Sequence, residues 1–207
     1  MRPLPRLHAI TDADVLAMED LGIRAAAIAA GGPAVALHVR DHAAPGARLA
    51  AVTERFLALA RPPEAAVLVN GHPDIARALG AHGVQLRASD LRPDDARRVM
   101  GPGWIGRSVH SAGEAETAAL DGADFLMVGS VFPTHSHRGT QVGGLDLILD
   151  CRAFGLPIIA IGGITPERVR EVKNAGAYGV AAISALWRVA DSAAATLALL
   201  EPWSVES

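Results

Sequence analysis

Short apolar runs alternate with longer, more polar segments along the whole 207-residue chain. Eight apolar runs predict strands at Leu7–Ile10, Ala34–Val39, Val67–Asn70, Gly83–Leu86, Ile105–Val109, Phe125–Val128, Ile158–Ile161 and Val180–Ile183. The intervening segments predict helices near Asp14–Ala30, Ala47–Ala60, Asp74–Leu79, Pro93–Met100, Ala112–Asp121, Leu145–Phe154, Pro166–Ala175 and Ser192–Leu200. Nearly continuous apolar strands are typical of a parallel sheet covered on both faces. The alternation therefore predicts an α/β protein, a single-domain TIM (β/α)8 barrel over residues 1–207.

A glycine pair after the seventh predicted strand favours the barrel over a doubly wound sheet. A Rossmann fingerprint would follow the first strand, whereas Gly162-Gly163 precede a helix start at Thr165-Pro166. Glycines let backbone N–H groups approach an anion, and a helix directs its positive end at it. The eighth unit repeats this layout with Ile183-Ser184. Because strands seven and eight of a TIM barrel often share a phosphate site, we expect Gly162, Gly163, Ile183 and Ser184 to bind phosphate. An ordinary turn that uses glycine is the plainer alternative.

Composition argues against several classes of function. The formal net charge of −3 gives no sign of a nucleic-acid partner. The lone Cys151 cannot form an intrachain disulfide, which fits a reducing compartment. We see neither a signal peptide nor an apolar run of about 18 residues, and so expect no membrane span. A cytoplasmic protein is expected, and a homo-oligomer is possible.

Histidines concentrate where the predicted strands end, which is where TIM barrels place their chemistry. They are His38, His42, His72, His110, His135 and His137. Strand alternation predicts that His38 and Arg40 share one inward face and that Ser108 and His110 share another. An arginine among imidazoles suits an anionic substrate and proton transfer. A transition-metal site that combines His135 and His137 with His42 or His72 is an alternative, although the spacing matches no common metal motif.

Several motifs resemble those of the thiamine phosphate synthase superfamily, in order over almost the whole chain. They are Thr11-Asp12, Ile105–Ser111, Gly122–Phe125, Val128–Thr134, Ala160–Pro166 and Ala175–Val180. The resemblance implies one of two activities. Thiamine phosphate synthases join a pyrimidine pyrophosphate to a thiazole phosphate, and thiazole tautomerases aromatise a carboxythiazole phosphate precursor.

Departures from the synthase pattern favour the tautomerase. The synthase motif Gln-x-Arg-x-Lys is His38-Val39-Arg40-Asp41-His42 here, and Asn70 is followed by Gly71 instead of the aspartate that binds magnesium in synthases. Asp90 is the acidic residue kept after strand four, and His137 stands where synthases carry lysine. A pyrophosphate leaving group needs cations to neutralise its charge. The chain keeps the phosphate end and has lost pyrophosphate machinery, so we expect an isomerase, a thiazole tautomerase.

His110 is the expected catalytic acid and base, because Ser108–Ser111 resembles the tautomerase motif. An unperturbed histidine pKa of about 6.5 suits proton transfer near neutral pH. The expected ligand is a small-molecule thiazole phosphate, and no metal or other cofactor is expected. The substrate-binding residues are expected to be Arg40, His38, Asn70, Ser108, Ser130, Thr134 and His137.

Two other functions remain open. One is a diverged thiamine phosphate synthase, a transferase, that uses Asp90 with a substitute metal ligand. The other is a non-catalytic protein that binds a phosphate ligand, since a fold alone does not imply a reaction.

Overall fold

Eight parallel strands close into a barrel in sequence order, with β1 hydrogen-bonded to β8, in a computed structural model that describes residues 2–61, 64–134 and 142–204. The strands are β1 Leu7–Ile10, β2 Val35–Val39, β3 Ala66–Asn70, β4 Gly83–Leu86, β5 Trp104–Val109, β6 Phe125–Val128, β7 Ile158–Ile161 and β8 Gly179–Ala182. Closure confirms the predicted TIM barrel and excludes the open, doubly wound sheet. In a closed barrel of eight, strands four apart face each other, so β3 lies across from β7 and β4 across from β8.

Helices follow the strands and cover the outside of the barrel. They are α1 Ala13–Leu16, α2 Leu21–Ala29, α3 Gly46–Leu59, α4 Pro73–Leu79, α5 Pro93–Met100, α6 Ala112–Leu120, α7 Gly144–Cys151, α8 Pro166–Asn174, α9 Ser184–Trp187 and α10 Ser192–Leu200. Short 3₁₀ turns lie at Gly32–Ala34, Arg152–Phe154 and Glu201–Trp203. Among the described helices, none combines the length and the apolar character that crossing a bilayer requires.

The prediction of one helix over Asp14–Ala30 is wrong, because two helices with a turn between them occupy this segment. The helix α1 ends at Leu16, and α2 begins at Leu21. Both leucines are buried, and the turn lets each reach the barrel. Asp20 precedes the second helix and accepts a hydrogen bond from Arg24 Nε at 2.8 Å.

Strand side chains alternate between the outside and the inside of the barrel, as predicted for β2, and the outward ones pack in two apolar clusters. Val35, Leu37 and Val39 point outward and pack within the cluster that includes the helices. Ala36 points inward, into a smaller cluster that also contains the large side chains of Trp104 and Phe125. Small and large residues together fill the interior, so the barrel is a packed core that opens only at its end.

Candidate functional site

A cavity of about 430 Å³ lies at the C-terminal ends of the strands. Apolar side chains form its floor, among them Ile10, Met127, Ile161 and Ala181. Polar groups line two walls. Residues after β7 and β8 form one wall, and the last residue of β3 forms the other together with residues after β2 and β4. The strand order places these two walls on opposite sides of the barrel mouth.

The wall at β7 and β8, called here the backbone wall, consists of residues 162–164 and 183–185. Gly162 and Gly163 have φ values of 101° and 61°, a region that L-residues with a Cβ rarely adopt. A Cβ at Gly163 would lie 2.7 Å from the carbonyl oxygen of Pro133. The Phe132 amide donates to the Gly162 carbonyl at 3.0 Å. The β7 loop is therefore fastened to the β6 loop, and its shape depends on glycine.

Backbone amides of this wall are available to a ligand. Among the described residues, none accepts a hydrogen bond from the amide of Gly163 or of Ser184. Ser184 begins α9, and the first amides of a helix have no partner within it. Both residues line the cavity, together with the predicted Gly162 and Ile183. The tight glycine turn is present, and phosphate binding by these residues stays a prediction.

The opposite wall, called here the side-chain wall, carries Arg40, His42, Asn70 and Arg87. Arg87 Nη1 lies 2.9 Å from His42 Nδ1. Burial lowers the pKa of His42, and the charges of Arg40 and Arg87 lower it further. His42 is therefore neutral near pH 7 and accepts a hydrogen bond from Arg87, so the positive charge of this wall comes from its arginines.

Arg40 is positioned by β1 as well as by its own strand. Its backbone amide donates to Thr11 Oγ1 at 2.8 Å, and that buried hydroxyl lies 3.0 Å from the Arg40 and His38 carbonyl oxygens. Burial lowers the pKa of the Arg40 guanidinium, Asp12 raises it and Arg87 lowers it. An arginine stays protonated under these conditions, so Arg40 remains a fixed cation beside the cavity.

The described residues do not fit the magnesium site that the resemblance implies. A Cβ at Gly71 would lie 3.5 Å from Asp90 Oδ2, so the Asp90 carboxyl lies over the position that lacks a carboxylate. Asp90 accepts from the Arg87 amide at 2.8 Å and from Arg87 Nη2 at 2.9 Å. Within residues 2–61, 64–134 and 142–204, no three His, Cys, Asp or Glu side chains cluster in a way that could hold a metal ion.

His110 lies just past β5, between the two walls. Its Nδ1 donates to the carbonyl oxygen of Gly129, which leaves Nε2 as the ring's acceptor. Its backbone amide donates to Glu114 Oε2 at 2.7 Å, while the Glu114 amide donates to Ser111 Oγ at 3.2 Å. The start of α6 therefore fixes His110. Ser108 also lines the cavity, as its predicted inward position requires.

A chain of buried polar groups leads from the barrel interior to the side-chain wall. His8 Nδ1 lies 2.8 Å from His38 Nε2, and His38 Nδ1 lies 3.0 Å from the side-chain amide of Asn70. At the other end, His8 Nε2 lies 3.1 Å from the carbonyl oxygen of Pro5. Burial lowers the pKa of His38 to about 4 and places the pKa of His8 well below its ordinary value, so both rings are neutral near pH 7.

Donor directions in this chain follow from its carbonyl end. Pro5 can only accept, so His8 Nε2 carries its proton and His8 Nδ1 accepts from His38 Nε2. His38 Nδ1 must then accept from Asn70. The Asn70 amide atom 3.0 Å from His38 Nδ1 is placed as Oδ1, and this network reassigns it as the nitrogen, which leaves the Asn70 oxygen towards the cavity. His38 is thus a support beneath the site, whereas the sequence suggested a substrate contact.

Most predicted site residues lie together around this one cavity. Those that line it are Arg40, Asn70, Ser108, His110, Ser130, Thr134, Gly162, Gly163, Ile183 and Ser184. His72 instead precedes α4 beside Asp74, with 3.9 Å between Nδ1 and Oδ1. His135 and His137 lie outside the described residues, and so does the core of the alternative metal site. Sequence reasoning missed Arg87, whose one signal was its position directly after β4.

Comparison with known proteins gives this geometry a family. The family described as thiamine monophosphate synthase matches residues 7–186. A thiamine-phosphate synthase of Roseiflexus castenholzii is 39% identical over 173 residues, which cover 82% of this chain and 76% of that protein. One of Salinispora arenicola is 37% identical over 205 residues, covering 97% and 98% of the two chains. A solved structure of thiamine phosphate pyrophosphorylase from Pyrococcus furiosus superposes with a TM-score of 0.80 at 32% identity, covering 95% and 94%.

These relatives correct the predicted activity. The sequence relatives are named as synthases, which are transferases, and the solved structure is named as a pyrophosphorylase, so the prediction of an isomerase, a thiazole tautomerase, is wrong. The inference treated His38, His42, Gly71 and His137 as lost pyrophosphate machinery. It did not count Arg87, which returns positive charge to the same wall. This 207-residue chain belongs to the thiamine monophosphate synthase family.

Proposed function

We propose that this protein is a transferase that joins a pyrimidine pyrophosphate to a thiazole phosphate and releases pyrophosphate. The observation that carries the proposal is a single cavity with anion-binding groups on two facing walls. The backbone wall suits one phosphate, and the side-chain wall suits a second, more highly charged group. The apolar floor suits two aromatic rings. The names of the relatives support the same reaction.

The reaction forms one bond and breaks one. The thiazole nitrogen supplies an electron pair to the methylene carbon of the pyrimidine, and the carbon–oxygen bond to pyrophosphate breaks with its electron pair going to oxygen. No proton moves to or from carbon. The main barrier is the charge that develops on the leaving pyrophosphate, and preorganised cations stabilise such charge most effectively. Arg40 and Arg87 are the cations of the side-chain wall.

The two walls receive different substrates in this proposal. The amides of Gly163 and Ser184 hold the thiazole phosphate, with Gly162 and Ile183 shaping the loops. The Asn70 oxygen accepts a hydrogen bond from the pyrimidine half of the substrate pair. Placing both substrates in one cavity converts an encounter in solution into a reaction between neighbours.

The residues between the walls position the rings. Ser108, Ser130 and Thr134 are proposed to contact them from β5 and β6. His110 offers Nε2 as an acceptor and is proposed as a binding residue, because this reaction needs no acid and base at carbon. His137 is kept as a candidate substrate contact.

The test is direct condensation. Purified protein is mixed with both substrates, and thiamine phosphate is quantified by chromatography, with and without magnesium. Product should form only when both substrates are present. Arg40→Ala should raise the KM for the pyrimidine pyrophosphate, and Ser184→Pro, which removes an amide donor, should raise the KM for the thiazole phosphate. A folded protein that makes no product at saturating levels of both substrates, in magnesium and in EDTA, would overturn the proposal.

A further inference from the structure

We propose that Arg87 is a built-in cation that holds the pyrophosphate group without a divalent metal ion. This inference rests on the proposed function and concerns its side-chain wall. It predicts that pyrophosphate binding and condensation persist in EDTA.

The first support is what surrounds Gly71. The chain has no side chain at this position, and the three atoms nearest to a Cβ placed there all belong to the Asp90 carboxyl group. A carboxylate pair that could share a magnesium ion is therefore reduced to one member. Magnesium bound through substrate phosphates ordinarily uses one or two carboxylates whose oxygens face the ion.

The second support is that the remaining carboxylate is already neutralised. The Asp90 side chain is only 10% exposed and accepts from Arg87 at its amide and at Nη2, with Nε at 3.3 Å. Burial raises the pKa of Asp90, but the Arg87 hydrogen bonds and charge outweigh burial and hold it below its ordinary value. Asp90 is thus ionised and paired with the Arg87 guanidinium. The guanidinium supplies the positive charge that a metal cation would otherwise supply beside this carboxylate.

The third support is the donors that Arg87 keeps. A guanidinium has five N–H groups. The described contacts use three of them, since Nε and Nη2 donate to Asp90 and Nη1 donates to His42. One N–H on each terminal nitrogen remains, and Arg87 lines the cavity. Two donors on a planar fork match two oxygens of a phosphate group.

The fourth support is the neighbouring Arg40. Burial is the main cause of the lowered pKa of the Arg40 guanidinium, and the charge of Arg87 lowers it further, so the two cations lie close enough to interact. Two cations at one cavity wall repel, and an anion between them removes that repulsion. A pyrophosphate bound there would meet two guanidinium groups that the protein holds in place before binding.

The experiment measures binding of inorganic pyrophosphate by calorimetry in EDTA and again in magnesium. The unaltered protein should bind in EDTA. Arg87→Ala should weaken that binding by about 10- to 100-fold, as expected for removing a hydrogen bond to a charged group. Arg87→Lys should lie between them, because it keeps the charge and loses the fork. The matched control is Arg170→Ala, which removes an exposed arginine that pairs with Glu201 at 3.1 Å and should change nothing.

A reciprocal variant asks whether the metal can be restored. Gly71→Asp combined with Arg87→Gly returns a carboxylate beside Asp90 and removes the competing cation. Condensation by this double variant should require magnesium, whereas condensation by the unaltered protein should continue in EDTA. Aspartate tolerates positive φ better than most residues, which suits the φ of 77° at Gly71.

The outcomes separate this inference from the proposed function. Condensation that stops in EDTA, with pyrophosphate binding unaffected by Arg87→Ala, would overturn the role of Arg87 and leave the transferase intact. Pyrophosphate binding in EDTA that depends on Arg87, without condensation under any condition, would support the cation and overturn the transferase. Equal weakening by Arg170→Ala would show a general charge effect and would also overturn the inference.

Discussion

The two walls of the cavity differ in which atoms line them: one offers backbone groups and the other offers side chains. At the backbone wall, Gly163 and Ser184 line the cavity, and the loop that carries Gly163 leaves no room for a Cβ there. At the side-chain wall, Arg40 and Arg87 face the ligand from the ends of separate strands. A backbone site can be found from its glycines. A side-chain site can keep its charge while its residues change, so missing motif residues there are weak evidence for a lost reaction.

The largest expected effect is at the backbone wall. Gly163→Ala places a Cβ 2.7 Å from the Pro133 carbonyl oxygen and strains a residue at positive φ. Displacing the phosphate loop should lower kcat/KM for the thiazole phosphate by about 100-fold or more, the loss expected from misplacing a substrate. The matched control is Gly155→Ala, where φ is 73° and no atom lies within 4 Å of the Cβ. It should cost about 1 kcal/mol of stability and leave both KM values unchanged. Equal kinetics in the two variants would mean that phosphate does not bind this loop.

Low pH should destabilise the protein by protonating His38, which is buried beneath the side-chain wall. The folded-state pKa of His38, about 4, lies below the unfolded value, so the unfolded chain binds more protons between these values. The contribution of His38 to the free energy of unfolding is therefore complete above about pH 6.5. It falls as the pH drops towards 4, by about 2 kcal/mol between pH 7 and pH 5. Urea unfolding at both pH values measures the loss. His38→Gln, which can still bridge His8 and Asn70, should be less acid-sensitive, and an unchanged pH dependence would contradict this account.

Removing one cation should affect one substrate. Arg40→Ala should raise the KM for the pyrimidine pyrophosphate by about 10- to 100-fold, because it deletes a charged hydrogen-bond donor. The KM for the thiazole phosphate should stay within about twofold. Steady-state kinetics with each substrate varied in turn provide the measurement. A rise in both KM values would show that the walls are not independent.

The smallest effect should come from His42. Its lowered pKa makes it a neutral partner of Arg87, so it adds orientation and no charge. His42→Ala should change the KM for the pyrimidine pyrophosphate by no more than about fivefold, consistent with losing one neutral hydrogen bond. His42→Asn keeps a hydrogen-bond acceptor and should recover part of that loss. An effect of His42→Ala as large as that of Arg40→Ala would mean that His42 is charged when substrate binds.

The barrel could be predicted from sequence because a strand buried on both faces is a short, nearly continuous run of apolar residues. β1, β4, β6 and β7 lie where they were predicted. The break between α1 and α2 could not be predicted, because residues 17–20 contain no glycine or proline and include the good helix formers alanine, methionine and glutamate. His8 was set aside because it does not lie at the C-terminal end of a strand, and the pairing of β1 with β2 places it 2.8 Å from His38. Arg87 was overlooked because its placement depends on His42, which lies 45 residues away in sequence, as well as on the nearby Asp90.

Closure of the barrel also fixes the distance between the two walls of the cavity. The separation of the two walls is set by strands that face each other across a closed ring and by the bonds that join the β6 and β7 loops. The structure therefore holds the two walls at one separation. In the proposed reaction, a thiazole whose phosphate arm is one methylene longer or shorter would keep its phosphate contacts only by moving its ring nitrogen away from the pyrimidine carbon. Discrimination by length would then appear in turnover more than in binding.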